Sequence, residues 1–264
     1  MEKIYKSVPD TDVLKYKGTE ENPDIKIFVS HRIDVDSETI DNPLYIPVLC
    51  GAVYDENKSS SILGDDTGEN ISEKRMSYCE LTVQYWAWKN VKADYYGLCH
   101  YRRYIGFSDT RYAIGSTESN NGCVCEEIID SQSIEKHCLN EKVMTDEIKK
   151  YDIIAIDPVR LTSHPRSNYE AMKLSTDYHN MADVDACIEI IKAKYPQMSA
   201  AVDKYMFKTK ECWLYNCWVM RKELFFEYSE WLFDILFELE KRCKDFVCDD
   251  FQARFYGRVS ELLL

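Results

Sequence analysis

The chain has 264 residues, 45% of them hydrophobic and 13% aromatic, and its 46 Asp and Glu outweigh 33 Lys and Arg for a formal net charge of −13. This length and apolar content suit one large domain or a domain with an appended subdomain, and the acidic balance argues against a nucleic-acid partner, which requires Lys and Arg to neutralise phosphates. No apolar run approaches the roughly 20 residues that cross a bilayer, and Met1-Glu-Lys-Ile-Tyr-Lys6 lacks the apolar core of a signal peptide, so a cytoplasmic chain with at most peripheral membrane association is expected. The eleven cysteines include no Cys-x-x-Cys pair and read as reduced core residues. Cys123-Val-Cys125 with His137-Cys138 is poorly spaced for zinc.

Residues 1–24 are polar and aperiodic and read as an N-terminal arm. Ile25 to His31 is a short β-rich apolar run, the expected first buried strand of an α/β sheet. His31 and Arg32 stand at its carboxyl end, where open α/β sheets bind ligands. Pro43 to Val53 is apolar, but Pro47 argues for a covering loop or an edge. The Gly-punctuated loop Ile62 to Ser72 offers Asp65, Asp66, Asn70 and Ser72, which either hold a base, ribose or sugar or simply build a turn. Ser77-x-x-Glu80 reads as a capping box, and Tyr78, Leu81, Tyr85 and Trp88 follow at helical spacing as a core stripe.

Asp94-Tyr-Tyr-Gly-Leu-Cys-His-Tyr-Arg-Arg-Tyr104 is a strand running into the densest cluster of positive charge and aromatic rings in an acidic chain. Strand alternation puts His100, Arg102 and Tyr104 on one side and Tyr101 and Arg103 on the other. Arginine forks match phosphate oxygens, and histidine donates or exchanges protons near neutral pH, so an anion site for phosphate is predicted. The competing reading is a sheet edge that pairs with nearby carboxylates.

Residues 108–150 lose apolar periodicity and read as an insertion or lid. Lys150 to Asp157 is a further buried strand closed by Pro158. Ser167-x-x-Glu170 opens a helix, and the face Val184, Cys187, Ile188 and Ile191 continues to Pro196. Cys212 to Met220 reads as another buried strand carrying one polar residue, Asn216, which is either a hydrogen-bond hub or a ligand contact. Leu224 to Leu239 trace the apolar face of a long helix that packs on the sheet. In the tail, Asp249 and Asp250 suit a helix N-terminus, and Arg254 and Glu261 sit among apolar residues as candidate buried functional groups.

Gly64-Asp-Asp-Thr-Gly-Glu-Asn-Ile-Ser72, Tyr78-Cys-Glu-Leu-Thr82, Tyr85-Trp-Ala-Trp-Lys89, Gly97-Leu-Cys-His-Tyr-Arg-Arg-Tyr104, Tyr215-Asn216 and Gly257-Arg-Val-Ser-Glu261 together resemble the DUF4422 family of bacterial capsular and exopolysaccharide glycosyltransferases. The resemblance runs from about Ile25 to the end of the chain. It implies a GT-A-like α/β nucleotide-sugar-binding sheet flanked by helices, with an inserted loop region and a helical C-terminal part, as a single domain over residues 25–264. It further implies a UDP-linked donor, with galactofuranose as a candidate sugar, and a glycan or lipid-linked oligosaccharide acceptor at the inner face of the membrane. The tail departs from the family pattern, with Arg258 in place of Phe and Leu262 in place of Arg.

GT-A folds usually place an Asp-x-Asp metal motif after the central strand, where this chain has His100-Tyr-Arg102. Sugar transfer without a required metal is therefore expected, with Arg102, Arg103 and His100 stabilising the leaving diphosphate. His31, Arg32, Asp65, Asp66, Asn70 and Ser72 complete the expected donor site, and Tyr101, Asn216 and Arg254 the expected acceptor or sugar site. Asp250 and Glu261 are the candidate catalytic carboxylates beside His100. A divalent metal on Asp65 and Asp66 is the less favoured alternative, adjacent loop carboxylates being a weak signature. A polysaccharide-binding or scaffolding protein without turnover is the competing functional class.

Overall fold

The structure, a computed structural model, describes residues 11–56, 62–110, 119–120, 122–124, 129–161, 165–174, 180–243 and 252–264. Asp250 lies outside them. In chain order come β1 (Ile25–Arg32), β2 (Tyr45–Cys50), β3 (Leu63–Gly64), α1 (Arg75–Tyr78), α2 (Leu81–Asn90) and β4 (Tyr95–His100). Next are β5 (Tyr104–Ile105), β6 (Ser119–Asn120), β7 (Cys123–Val124), α3 (Ser131–Lys136), α4 (Glu141–Ile148) and β8 (Ile153–Ala155). They are followed by β9 (Val159–Arg160), α5 (Asn168–Leu174), α6 (Met181–Lys194), α7 (Ser199–Lys208), β10 (Glu211–Cys212), β11 (Trp218–Arg221), α8 (Lys222–Cys243) and α9 (Phe255–Ser260). The chain forms two compact units, one of residues 1–75, 79–157 and 215–227, the other of residues 76–78, 158–214 and 228–264.

The first unit is built on a six-stranded sheet of order β3-β2-β1-β4-β11-β8. Strands β3, β2, β1 and β4 are parallel neighbours, and β11 runs antiparallel to both β4 and β8. Parallel strands with both faces covered need continuous apolar runs, and seven of the eight residues of β1 are buried. Phe28 of β1 meets Trp86 of α2 edge-on at 6.1 Å, and Tyr96 of β4 stacks on Phe225 of α8 at 4.3 Å with the rings 9° apart. Lys26 brings a charge into this core, and its ammonium is matched by Asp24 at the amino edge of the sheet.

The Pro47 segment is not a covering loop or an edge: it is β2, paired with β1 along its length and with β3 at Val48 and Leu49. The physical reason lies in the side to which each residue's polar groups point. Leu44 accepts from Ile27 of β1, whereas Leu49 accepts from Asp65 on the β3 side. Backbone groups alternate sides along a parallel strand, so Pro47 shares the β3-facing side with Leu49. Its missing N–H therefore falls where β3 has not yet begun, since that pairing starts at Val48.

The Cys212 to Met220 run is also not one strand. It divides into β10 and β11 because Tyr215 and Asn216 take left-handed backbones, with φ of 73° and 46°. Two consecutive residues at positive φ cannot continue a pleat. The long helix over residues 222–242 is present as α8. Within residues 108–150, α3 and α4 are capped by the side chains of Asp130 and Asn140.

In the second unit β9 pairs with β10, and Asn168 donates its amide to the carbonyls of Tyr205 and Glu211. The Ser167 hydroxyl accepts from the backbone N–H of Glu170, so the predicted cap of α5 is made. Tyr256 of α9 lies 4.9 Å from the ring of Tyr78. No helix among the described residues is long and apolar enough to cross a membrane.

Candidate functional site

Four parallel strands deliver their last residues to one edge of the first unit's sheet: Arg32 from β1, Cys50 from β2, Gly64 from β3 and His100 from β4. Because β11 is antiparallel, its first residue and the Tyr215–Asn216 turn before it arrive at the same edge. Carboxyl ends of parallel strands are where open α/β sheets bind ligands, since loops there can vary without disturbing the core.

The basic cluster forms a turn rather than an extended face. The His100 N–H donates to the Arg103 carbonyl at 3.1 Å and the Arg103 N–H donates back at 2.7 Å. This closes the chain over Tyr101 and Arg102, so strand alternation stops at His100 and the expected shared face of His100, Arg102 and Tyr104 is not built. Tyr104 instead turns into the core, where its ring meets Tyr45 at 5.1 Å. Arg102 is exposed with its guanidinium carbon 5.1 Å from the Tyr101 ring, and half-buried Arg103 lies 4.2 Å over the Tyr215 ring. Tyr101 packs between His100, at 4.4 Å, and His31, at 6.0 Å. Among the described residues neither Arg102 nor Arg103 is ion-paired with a carboxylate; each lies over a tyrosine ring, which leaves its fork of donors able to take an anion.

Arg32 and His31 play different parts from these. Arg32 is held by Asp34, whose other donor is Arg75 at 3.3 Å. The Arg32 hydrogen bond holds the Asp34 carboxyl down at about 2 against the upward pull of burial. Arg75 reaches this pair by lying across Gly51, where a Cβ would meet its Cδ at 2.0 Å and where φ is +71°. His31 is buried with its ring nitrogens hydrogen-bonded to the Ser37 and Thr39 hydroxyls at 2.8 and 2.7 Å. Burial lowers its pKa to about 4, so it is a neutral, fixed ring at physiological pH.

The acidic loop is tied to the protein itself. Asp65 is fully buried and accepts from four donors: the backbone N–H groups of Gly51 and Ala52, each at 3.0 Å, and the hydroxyls of Ser72 and Thr82. Asn70 accepts from the Ser72 N–H and donates to the Gly68 carbonyl, an Asx turn that orders the loop. Ser72 is buried, and half-buried Asp66 lies against Gly64.

Sequence reasoning passed over Glu80. The capping box with Ser77 is not formed, because α1 ends at Tyr78 and Cys79 reverses the chain at φ 52° and ψ −132°. Glu80 then starts α2 without capping it, and its Oε1 accepts from the amide of Asn216 at 2.8 Å. Asn216 is 1% exposed, with its side-chain amide held against Glu80. Arg254 and Glu261 belong to the second unit, half-buried at the two ends of α9, with Leu262 buried beside them.

The family model for DUF4422, described as a domain of unknown function, matches residues 26–264. Among solved structures, the apo structure of the WbbM bifunctional glycosyltransferase is similar at 32% identity and a TM-score of 0.80. The likeness covers 91% of this chain and 41% of that one, so this chain spans less than half the length of its structural relative. No curated protein matches.

Proposed function

The chain belongs to the DUF4422 family, and from that premise we propose that it is a glycosyltransferase moving a sugar from a nucleotide-sugar donor to a glycan acceptor. The donor in this reading is UDP-linked and the sugar galactofuranose, with a capsular or exopolysaccharide precursor as acceptor. The observation that carries the reading is the turn at residues 100–103. In a chain of net charge −13, two arginines at the carboxyl end of β4 are backed by tyrosine rings and carry no carboxylate partner among the described residues. Fixed guanidinium groups stabilise a diphosphate as negative charge builds on it during bond cleavage.

In this mechanism Arg102 and Arg103 hold the diphosphate and His100 supports the Tyr101 ring beside them. Arg32 and Arg75 lie at the same edge with one Asp34 between them, a second source of positive charge for the nucleotide end. The metal alternative at Asp65 and Asp66 fits poorly, because both oxygens of Asp65 already accept two protein donors each. That engagement supports transfer in which side-chain cations do the work of the metal. Asp250 and Glu261 stay as proposed carboxylates of the reaction, and Arg254 as a proposed acceptor contact.

A thermal-shift panel of UDP, UDP-sugars and other nucleotides, with and without manganese, tests the reading. UDP and at least one UDP-sugar are expected to raise the melting temperature, since a ligand at a hundred times its Kd adds about 2.7 kcal/mol. If no nucleotide or nucleotide sugar moves the transition, the enzyme reading is wrong and a glycan-binding protein takes its place.

A further inference from the structure

Two anchored cations and one loosely held anion meet where β1 ends. Arg32 offers Asp34 both arms of its fork: Nε donates to Oδ1 at 2.9 Å and Nη2 donates to Oδ2. Arg75 donates from Nη2 to the same Oδ1 at 3.3 Å. Arg75 is the more buried of the two, with 13% of its side chain exposed. Its stem fills the space that glycine leaves at position 51, where a Cβ would fall 2.0 Å from Cδ and 2.6 Å from Cγ. Gly51 in turn sits at φ +71° with its N–H bonded to buried Asp65. Arg32 is the last residue of β1, in register with Cys50 of β2. Asp34 has no comparable anchor. It lies in the turn after the strand with 49% of its side chain exposed. Among the described residues its carboxylate is engaged by the two arginines and by its own backbone N–H. The backbone bond across that turn, from the Val35 N–H to the Arg32 carbonyl, is long at 3.5 Å.

A carboxylate gripped by one guanidinium fork and touched by a second guanidinium has the arrangement in which arginines take a phosphate. A clip that merely ordered the turn would need Arg32 alone, whereas Arg75 is routed across a left-handed glycine to reach the same oxygen. The place agrees with a ligand, since carboxyl ends of parallel strands are where such sheets bind them. The Asp34 hydrogen bond is the main cause of the raised Arg32 pKa, and Tyr101 is near enough to add to it. The same Tyr101 ring lies 5.1 Å from the Arg102 guanidinium carbon. Exposed ion pairs contribute little to stability, so one anion can replace another there at small cost. We infer that Arg32 and Arg75 form a phosphate site in which Asp34 is the resident anion, displaced when the phosphates of a nucleoside diphosphate bind and returning when they leave. The inference rests on the sugar-transfer reading above for the identity of the ligand. While Asp34 is seated the forks are occupied, so a ligand meets a competent site only for the fraction of time that Asp34 is away. Apparent affinity falls by that fraction. The consequence for turnover is that the product diphosphate is held loosely enough to depart.

The test is isothermal titration of the whole chain, at one ionic strength, with inorganic pyrophosphate, UDP and uridine. Asp34→Asn keeps the size of the side chain while removing its charge, and Asp34→Ala removes the carboxylate outright. Both are expected to bind pyrophosphate and UDP about three- to tenfold tighter, as a site freed from being closed roughly 70–90% of the time would. Uridine, which carries no phosphate, should bind as before. Arg32→Ala combined with Asp34→Ala should cancel the gain. A gain below threefold in both single variants, an equal gain for uridine, or a gain that survives loss of Arg32 overturns the assignment. If UDP binds the wild type and both variants alike, the donor reading stands and the Asp34 exchange is wrong. If pyrophosphate tightens while UDP binds no variant, the exchange stands and the sugar-transfer reading falls. Binding of neither ligand to any variant removes both.

Discussion

Removing the Asp65 carboxylate should unfold the carboxyl edge of the sheet before it affects any ligand. Its four donors divide evenly: Oδ1 accepts from the Ala52 N–H and the Ser72 hydroxyl, Oδ2 from the Gly51 N–H and the Thr82 hydroxyl. Hydroxyls can rotate, and Thr82 already reaches the Cys79 carbonyl at 3.2 Å. The two backbone donors cannot move without dismantling the end of β2. An unsatisfied buried donor costs about 1–3 kcal/mol, so Asp65→Ala should destabilise by roughly 4 kcal/mol, a large part of a typical 5–15 kcal/mol. Asp65→Asn restores one acceptor and strands one backbone N–H, which predicts about half that cost. At about 2–4 °C per kcal/mol for a chain of this size, the alanine variant should melt on the order of 10 °C lower. Urea unfolding followed by tryptophan fluorescence gives both numbers. If both variants keep wild-type stability while UDP no longer binds, Asp65 is a ligand contact and the structural argument is refuted.

His31 should give the protein an acid-side stability slope. Its folded pKa of about 4 lies below the ordinary 6.5, so the unfolded chain takes up a proton first, and stability that is complete above pH 6.5 is lost as pH falls toward 4. His31→Gln should flatten urea midpoints compared at pH 7.5 and 5.5, and an unchanged slope would assign the effect to other groups. For the basic turn, Arg102→Ala should weaken UDP binding at least tenfold with a melting temperature within about 1 °C of wild type, because the side chain is exposed. Arg102→Lys should not restore binding, since an ammonium lacks the planar fork. Turnover should persist in excess chelator; activity lost to chelator and regained with manganese would reinstate a metal.

Much of this architecture was legible in the sequence because it is written in contiguous apolar runs. The strand from Ile25, the strand from Tyr95 and the helix from Lys222 announce themselves, since burial on both faces or along one stripe demands those residues. What escaped depends on partners far away in the chain. Pro47 reads as disqualifying in the sequence, because nothing local shows that the β2–β3 pairing starts only at Val48. Tyr215 gives no local sign of left-handed backbone, so the run from Cys212 to Met220 reads as one strand. Ser77 and Glu80 have ideal capping spacing, and only the reversal at Cys79 diverts the carboxylate toward Asn216. The same holds at the site: Arg102 and Arg103 stood out by charge, whereas Asp34, Arg75 and Glu80 look like ordinary surface residues until the sheet gathers its ends. For Glu80 and Tyr215 a signal existed, because both fall inside the segments that carry the family resemblance.

The order of strands also sets a timetable for synthesis. The first four, β1 to β4, lie within 100 residues and can pair as soon as they emerge. The neighbour that covers the far edge of β4 is β11, which begins roughly 120 residues after β4 ends; at about 5–20 residues per second that edge stays open on the order of ten seconds on the ribosome. An unpaired row of backbone donors and acceptors on a buried, apolar strand is a template for mispairing. Chaperones should therefore engage the nascent chain after β4 is made and release it once residues 218–221 arrive, a window that ribosome profiling of chaperone-bound chains would resolve.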